Sequence, residues 1–192
     1  MKTEKKEDRR IRKTKQALQK GLAELLTEKQ IQKITIKELT ERVDVHRGTF
    51  YVHYEDIYDL YHSIETRVIS EIEDLLSKDY PFGYKGLTLF YELLFSYLLE
   101  HKEICRSLFE GHVNYTFIQT LKKLFLNACL DDWHEEYGID KQSEEIKNYA
   151  SFYLAGSFFI ISEWVENNFN YPVEKLILML SEIDISFGKM FK

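Results

Sequence analysis

Residues 46–54 read His46-Arg47-Gly48-Thr49-Phe50-Tyr51-Val52-His53-Tyr54, a run dense in hydrogen-bond donors. An arginine can give two parallel hydrogen bonds to a guanine edge, and hydroxyls and imidazoles can donate to phosphate oxygens. Seen as a helix, Tyr51 and His53 lie about 160° apart around the axis, so with the helix tip in a groove they reach its two phosphate walls. Tyr51 has a second reading, as a core ring, and His53 another, as a structural histidine at a helix end. Phe50 points elsewhere, as the anchor that fixes the helix to its own core. Gly48 removes bulk where this helix meets the one before it. The chemistry suggested is the reading of a major groove.

Such donors need a rigid mount. Thr35 and Glu38 have the T-x-x-E spacing of a helix start, in which each side chain can satisfy an orphan backbone N–H. Ile36, Leu39 and Val43 then recur on one helical face. Asp44 breaks the run and Val45 plugs the angle before the next helix. The spacing predicts helices over Arg9–Glu28, Thr35–Val43 and His46–Tyr54, with Ile11, Leu18, Leu22, Leu25 and Leu26 inward in the first. Residues 1–8 form a charged tail. Asp56 caps a fourth helix whose apolar positions are Leu60, Tyr61, Ile64, Val68, Ile72, Leu75 and Leu76. The pattern over 35–60 is that of a helix-turn-helix.

Arg47-Gly48-Thr49-Phe50-Tyr51-x-His53-Tyr54 followed by Asp59-Leu60 resembles the recognition helix and next-helix start of the tetracycline-repressor (TetR) family. Thr35-Ile36-x-Glu38-Leu39 resembles that family's preceding helix, and the specific similarity covers residues 9–64. The resemblance implies an all-α chain, with a three-helix DNA-binding domain over 1–55 and a linking helix plus C-terminal helical bundle over 56–192. It puts Thr35, Arg47, Gly48, Thr49, Tyr51 and His53 at the DNA, with Arg47 facing bases. Three positions depart from the family pattern. Asp44 stands where glycine is common at the turn, and His46 where serine or threonine is common. Ile57 replaces a lysine that holds a phosphate, which removes one electrostatic contact.

Of the 26 Lys and Arg residues, 14 lie in residues 1–54 against 8 Asp and Glu, whereas the rest of the chain carries 12 against 24. This asymmetry suits a nucleic-acid-binding end joined to a body that DNA repels, although a solvated face would also explain a charge run. The basic arm Lys5–Lys15 would supplement phosphate binding. No apolar run reaches bilayer length and the N-terminus has no signal-peptide core. Cys105 and Cys129 lack disulfide-framework or metal spacing, which fits a reducing cytoplasm. The six histidines form no HExxH or Cys/His cluster, and no nucleophile or nucleotide-loop motif occurs. We therefore expect no enzyme, no cofactor and no metal.

Beyond Asp79-Tyr80-Pro81-Phe82-Gly83, helices are expected at Lys85–Glu100, Lys102–Phe109, Tyr115–Tyr137, Gln142–Asn168 and Pro172–Phe191, punctuated by Gly111, Gly138 and Asn170-Tyr171-Pro172. The last two are apolar almost all round, which suggests an inner face on their own domain and an outer face on a second copy. Ala155-Gly156-Ser157 lets helices approach, and Gly156, Phe159, Leu176 and Leu180 are candidates for the dimer contact. The aromatics either fill a core or line a cavity; Tyr91, Phe95, Phe117, Phe125, Phe152 and Trp164 are the candidate walls for a small apolar or aromatic inducer, which the resemblance implies. The resulting expectation is a cytoplasmic homodimeric repressor that binds double-stranded DNA at a palindromic operator and releases it on ligand binding. The alternative is a DNA-associated module that recruits a protein partner without an inducer.

Overall fold

The computed structural model describes residues 2–81, 83–110 and 115–191; for residues 2–8 and Glu110 it describes the backbone alone. Gly111, His112 and Phe82, read above as punctuation or as a histidine, lie outside the described residues. Among the described residues all regular structure is helical: α1 (Lys2–Glu28), α2 (Ile36–Arg42), α3 (Arg47–His53), α4 (Ile57–Leu76), α5 (Tyr84–Glu100), α6 (Lys102–Glu110), α7 (Tyr115–Tyr137), α8 (Glu144–Glu166) and α9 (Val173–Lys189). A 3-10 turn, Ile31–Lys33, precedes α2. The fold is all-α, with an N-terminal helix-turn-helix and a C-terminal helical domain. Most helix ends fall within two residues of the sequence reading, but α1 takes in the segment expected to be a tail.

The chain divides into two compact units. The first comprises Met1–Val68 and Glu103–His112, the second Ile69–Lys102 and Val113–Lys192. The sequence division at 55/56 marks the end of the helix-turn-helix; compactness carries the first unit on into α4. That unit also contains α6, which follows α5 in the chain and brings Ile104, Cys105 and Leu108 into the interior.

In the first unit Leu18, Leu22, Leu25, Leu39, Phe50, Leu60 and Ile64 are fully buried. Ile11 was expected inward but is exposed, because it lies a full turn and more before the first buried residue of α1. α1 and α2 approach so closely at Gly21 that an added Cβ would fall 2.3 Å from Val43 Cγ1. Arg42 ties the same two helices with a forked pair to Glu28, Nη1–Oε1 2.6 Å and Nη2–Oε2 3.1 Å.

In the second unit α5 packs on α9 and α7 on α8. Trp133, Phe95, Leu180 and Val165 are essentially inaccessible. A buried polar chain crosses this aromatic interior. The Tyr91 and Tyr153 hydroxyls share a hydrogen bond, Tyr153 donates to Asp184 Oδ2 at 2.7 Å, and Trp133 Nε1 donates to Asp184 Oδ1 at 3.4 Å. Burial raises the Asp184 carboxyl to about 6; the Tyr153 and Trp133 hydrogen bonds oppose that shift, and Asp132 and Glu136 add to it.

Candidate nucleic-acid interface

The turn that sets α3 against α2 is built locally. Thr35 Oγ1 accepts the Glu38 N–H at 3.2 Å and so caps α2. The reciprocal half of the expected capping box is absent, because the Glu38 carboxylate is taken by Lys29 Nζ at 2.6 Å. Asp44 has φ +51°, the left-handed conformation that glycine adopts without penalty and that Asp and Asn tolerate better than most. The geometry thus explains why Asp can stand at a turn position where glycine is common. Val45 N–H donates to Thr40 O at 2.9 Å and closes the turn.

His46 caps α3. Its Nδ1 accepts the Gly48 N–H at 3.1 Å, so Nδ1 is unprotonated in this arrangement and the ring proton sits on Nε2. Gly48 does not relieve crowding between helices, as the sequence reading had it: a Cβ there would meet only the His46 ring, Nδ1 at 3.2 Å. Phe50 is fully buried and Tyr54 nearly so, their rings 5.9 Å apart, and these two residues hold α3 to the first unit.

Away from these two rings α3 is open to solvent. Arg47 and Gly48 are exposed, Tyr51 is 61% exposed, and Thr49 and His53 are half-buried. Val52 is 75% exposed, a position the sequence reading left without a role. Burial, and secondarily the charge of Lys15, lowers the His53 imidazole below its ordinary value, which makes it a neutral N–H donor at neutral pH. Lys15 Nζ itself lies 6.0 Å from the Tyr54 ring centroid. Arg9, Arg10, Arg12, Lys13 and Lys15 are all exposed along α1; the side chains of Lys5 and Lys6 lie outside the described residues.

Ile57 is only 6% exposed. It opens α4 facing the core, while Asp56 Oδ1 accepts the N–H groups of Tyr58 and Asp59 at 2.8 and 2.9 Å. Asp59 Oδ2 accepts the Glu55 N–H in return at 3.0 Å. An apolar residue suits this position because its side chain is used in packing.

The candidate pocket and dimer residues separate in the second unit. Tyr91, Phe95, Phe117 and Trp164 are buried and Phe125 is half-buried, with Phe95 edge-on to Trp164 at 5.0 Å. Phe152 was expected among them and is instead 74% exposed, so it is no pocket wall; its neighbour Tyr153 is the inward residue. Leu176 and Leu180, expected on an outer contact face, are 5% and 0% exposed and belong to the core. Gly156 and Phe159 do face outward: Phe159 is 64% exposed and a Cβ at Gly156 would meet nothing within 4 Å. Leu178 and Met179 supply the exposed apolar positions of α9 that the sequence did not single out.

Among the described residues no helix is long and apolar enough to cross a membrane, and no group of His, Cys, Asp and Glu is placed to hold a metal ion. Residues 87–184 match the family model described as TetR_C_8, the transcriptional regulator C-terminal region. A stretch of 75 residues, 38% of this chain, is 40% identical to the uncharacterized HTH-type transcriptional regulator YxbF of Bacillus subtilis (strain 168). The matched stretch spans 20% of that protein's length. A helix-turn-helix carried ahead of a C-terminal region of this type is the family's arrangement, and the chain belongs to the TetR family of transcriptional regulators.

Proposed function

We propose that the protein is a ligand-responsive repressor that binds a palindromic DNA operator as a homodimer. The observation that carries this reading is α3 itself: a short capped helix, anchored by Phe50, whose exposed residues include Arg47, Gly48 and Tyr51, with Lys15 of α1 near the Tyr54 ring. In this reading Arg47 takes a guanine edge, Tyr51 and His53 hold opposite phosphate walls, and Thr49 adds a hydroxyl donor. Thr35 uses its oxygen on the Glu38 N–H and has its own proton left for a phosphate. Arg9, Arg10, Arg12, Lys13 and Lys15 compensate for the lysine that Ile57 replaces.

The exposed apolar surface of Phe152, Gly156, Phe159, Leu178 and Met179 supports the dimer, since an isolated subunit would leave these side chains in water. The inducer would be a small apolar or aromatic molecule with one polar group. Its support is the Tyr91–Tyr153–Asp184 chain, which sets a few polar atoms within an aromatic interior beside the rings of Phe95, Trp133 and Phe187.

Footprinting the protein on the DNA upstream of its own gene tests the reading. Arg47→Ala should cost about 1–3 kcal/mol of affinity and relax preference at one base pair per half-site. An unchanged footprint and affinity would remove Arg47 from the assignment. In sedimentation at micromolar concentration the wild type should run as a dimer and Gly156→Arg as a folded monomer. A monomeric wild type would end the dimer reading.

A further inference from the structure

We infer that Val52 is a base-reading residue that recognises the C5-methyl group of a thymine. This rests on the DNA-reading role proposed for α3. With about 100° of rotation per residue, Gly48 and Val52 each lie about 160° from Phe50, the residue that points into the core. They are therefore the two positions that face most directly away from the protein. Val52 is 75% exposed, more than Tyr51 at 61%, while Phe50, two residues before it, is fully buried. A β-branched apolar side chain left in water at the apex of a capped, anchored helix has no role in packing this unit.

Gly48 supplies the second observation. Its missing side chain is not required by any packed helix, because an added Cβ would meet only the His46 ring. Its smallness acts on the outer side, where it lets the first turn of α3 approach a ligand surface closely. Val52, one turn further along the same side, is then carried to the same depth.

Arg47 is exposed on α3 itself and Arg9, Arg10, Arg12, Lys13 and Lys15 are exposed on α1, with Lys15 Nζ 6.0 Å from the Tyr54 ring centroid, while the carboxylates Glu41, Asp44, Glu55 and Asp56 are exposed in the segments that flank α3. The DNA-reading role proposed for α3 makes the major groove the surface that Val52 meets. Within a major groove the apolar feature offered by the bases is the thymine methyl, and a valine can bury it where a polar side chain gains nothing. Arg47 and Val52 would thus read different base pairs of one half-site, the first by hydrogen bonds and the second by exclusion of water.

The experiment uses the full chain and the duplex protected in the footprint upstream of its own gene. Each thymine is replaced in turn by deoxyuridine, which deletes the methyl group and leaves pairing intact. The wild type should lose about fourfold in affinity per half-site at one thymine, the equivalent of one methyl removed from a buried contact. Val52→Ala should bind more weakly than the wild type and be indifferent to that same replacement, while Arg47→Ala should retain the penalty. If the wild type tolerates every deoxyuridine, or if Val52→Ala keeps the full penalty, the inference is overturned. Failure of the wild type to bind any duplex, including a random-sequence one, would instead overturn the DNA-reading role beneath it.

Discussion

Both units leave large apolar side chains in water, but they do so in opposite settings. On α3 a single aliphatic residue, Val52, sits exposed with Tyr51 on a helix held by caps and by the buried rings of Phe50 and Tyr54. On α8 and α9 the exposed residues Phe152, Phe159, Leu178 and Met179 form the outer side of helices whose inner side is a thick aromatic core. A single aliphatic group on an otherwise polar exposed side fits a charged, grooved partner that offers one methyl. A broad apolar surface fits a partner that is apolar itself. The interiors also partner their buried carboxylates differently: Glu65 in the first unit, 2% exposed, meets the His62 ring at 3.3 Å, whereas Asp184 in the second accepts from two aromatic donors.

The contrast is broken most forcefully by truncating one phenylalanine in each unit. Phe50→Ala removes a fully buried ring and should destabilise by about 3–5 kcal/mol in urea unfolding. Phe152→Ala removes a ring that is 74% exposed and should cost less than about 1 kcal/mol in a monomeric background such as Gly156→Arg. Equal losses would mean that Phe152 packs in the core after all.

A smaller effect distinguishes the buried carboxylate. Asp184 titrates near 3.8 when unfolded and at about 6 in the folded chain, so the folded state holds its proton more tightly. Stability from this group is full below about pH 4 and is lost as the pH rises towards and past 6, by about 3 kcal/mol. Asp184→Asn should shrink the gap between urea midpoints measured at pH 5 and pH 7.5. A gap as wide as the wild type's would place the pH dependence elsewhere. The exposed pair in the first unit, Arg42 with Glu28, should contribute nothing comparable over that range.

The smallest effect concerns the turn. Asp44→Gly relieves a left-handed backbone at the expense of a more flexible unfolded chain, so the gain should stay below about 1 kcal/mol. Loss of stability on that substitution would mean that the Asp44 side chain contributes more than the backbone strain costs.

The helix-turn-helix was legible because its signals are local. A T-x-x-E cap, an apolar residue every three or four positions and a turn of four residues fix α2 and α3 without reference to anything distant. Periodicity failed where both faces of a helix are apolar. On α8 the choice between Phe152 and Tyr153 as the inward residue turns on a hydroxyl that reaches Asp184, 31 positions further along the chain. Leu176 and Leu180 are candidates for the outer contact for the same reason, since a helix apolar all round carries no direction in its pattern. Ile57 was read against a lysine at the family's position, yet its burial depends on how α4 leaves Asp56. Val52 gave no signal because one apolar residue in a polar run is indistinguishable from an ordinary core position until the buried side of the helix is known.

The membership of α6 in the first unit has a consequence for the order in which the protein matures on the ribosome. A nascent chain that has emerged only as far as Val68 holds α1 to α3 and much of α4, but not Ile104, Cys105 and Leu108. Those side chains arrive after the whole of α5 has been synthesised. At about 5–20 residues per second, the delay from Val68 to the end of α6 lasts a few seconds. Domains translated early ordinarily close early, whereas this unit is complete only once α6 has emerged.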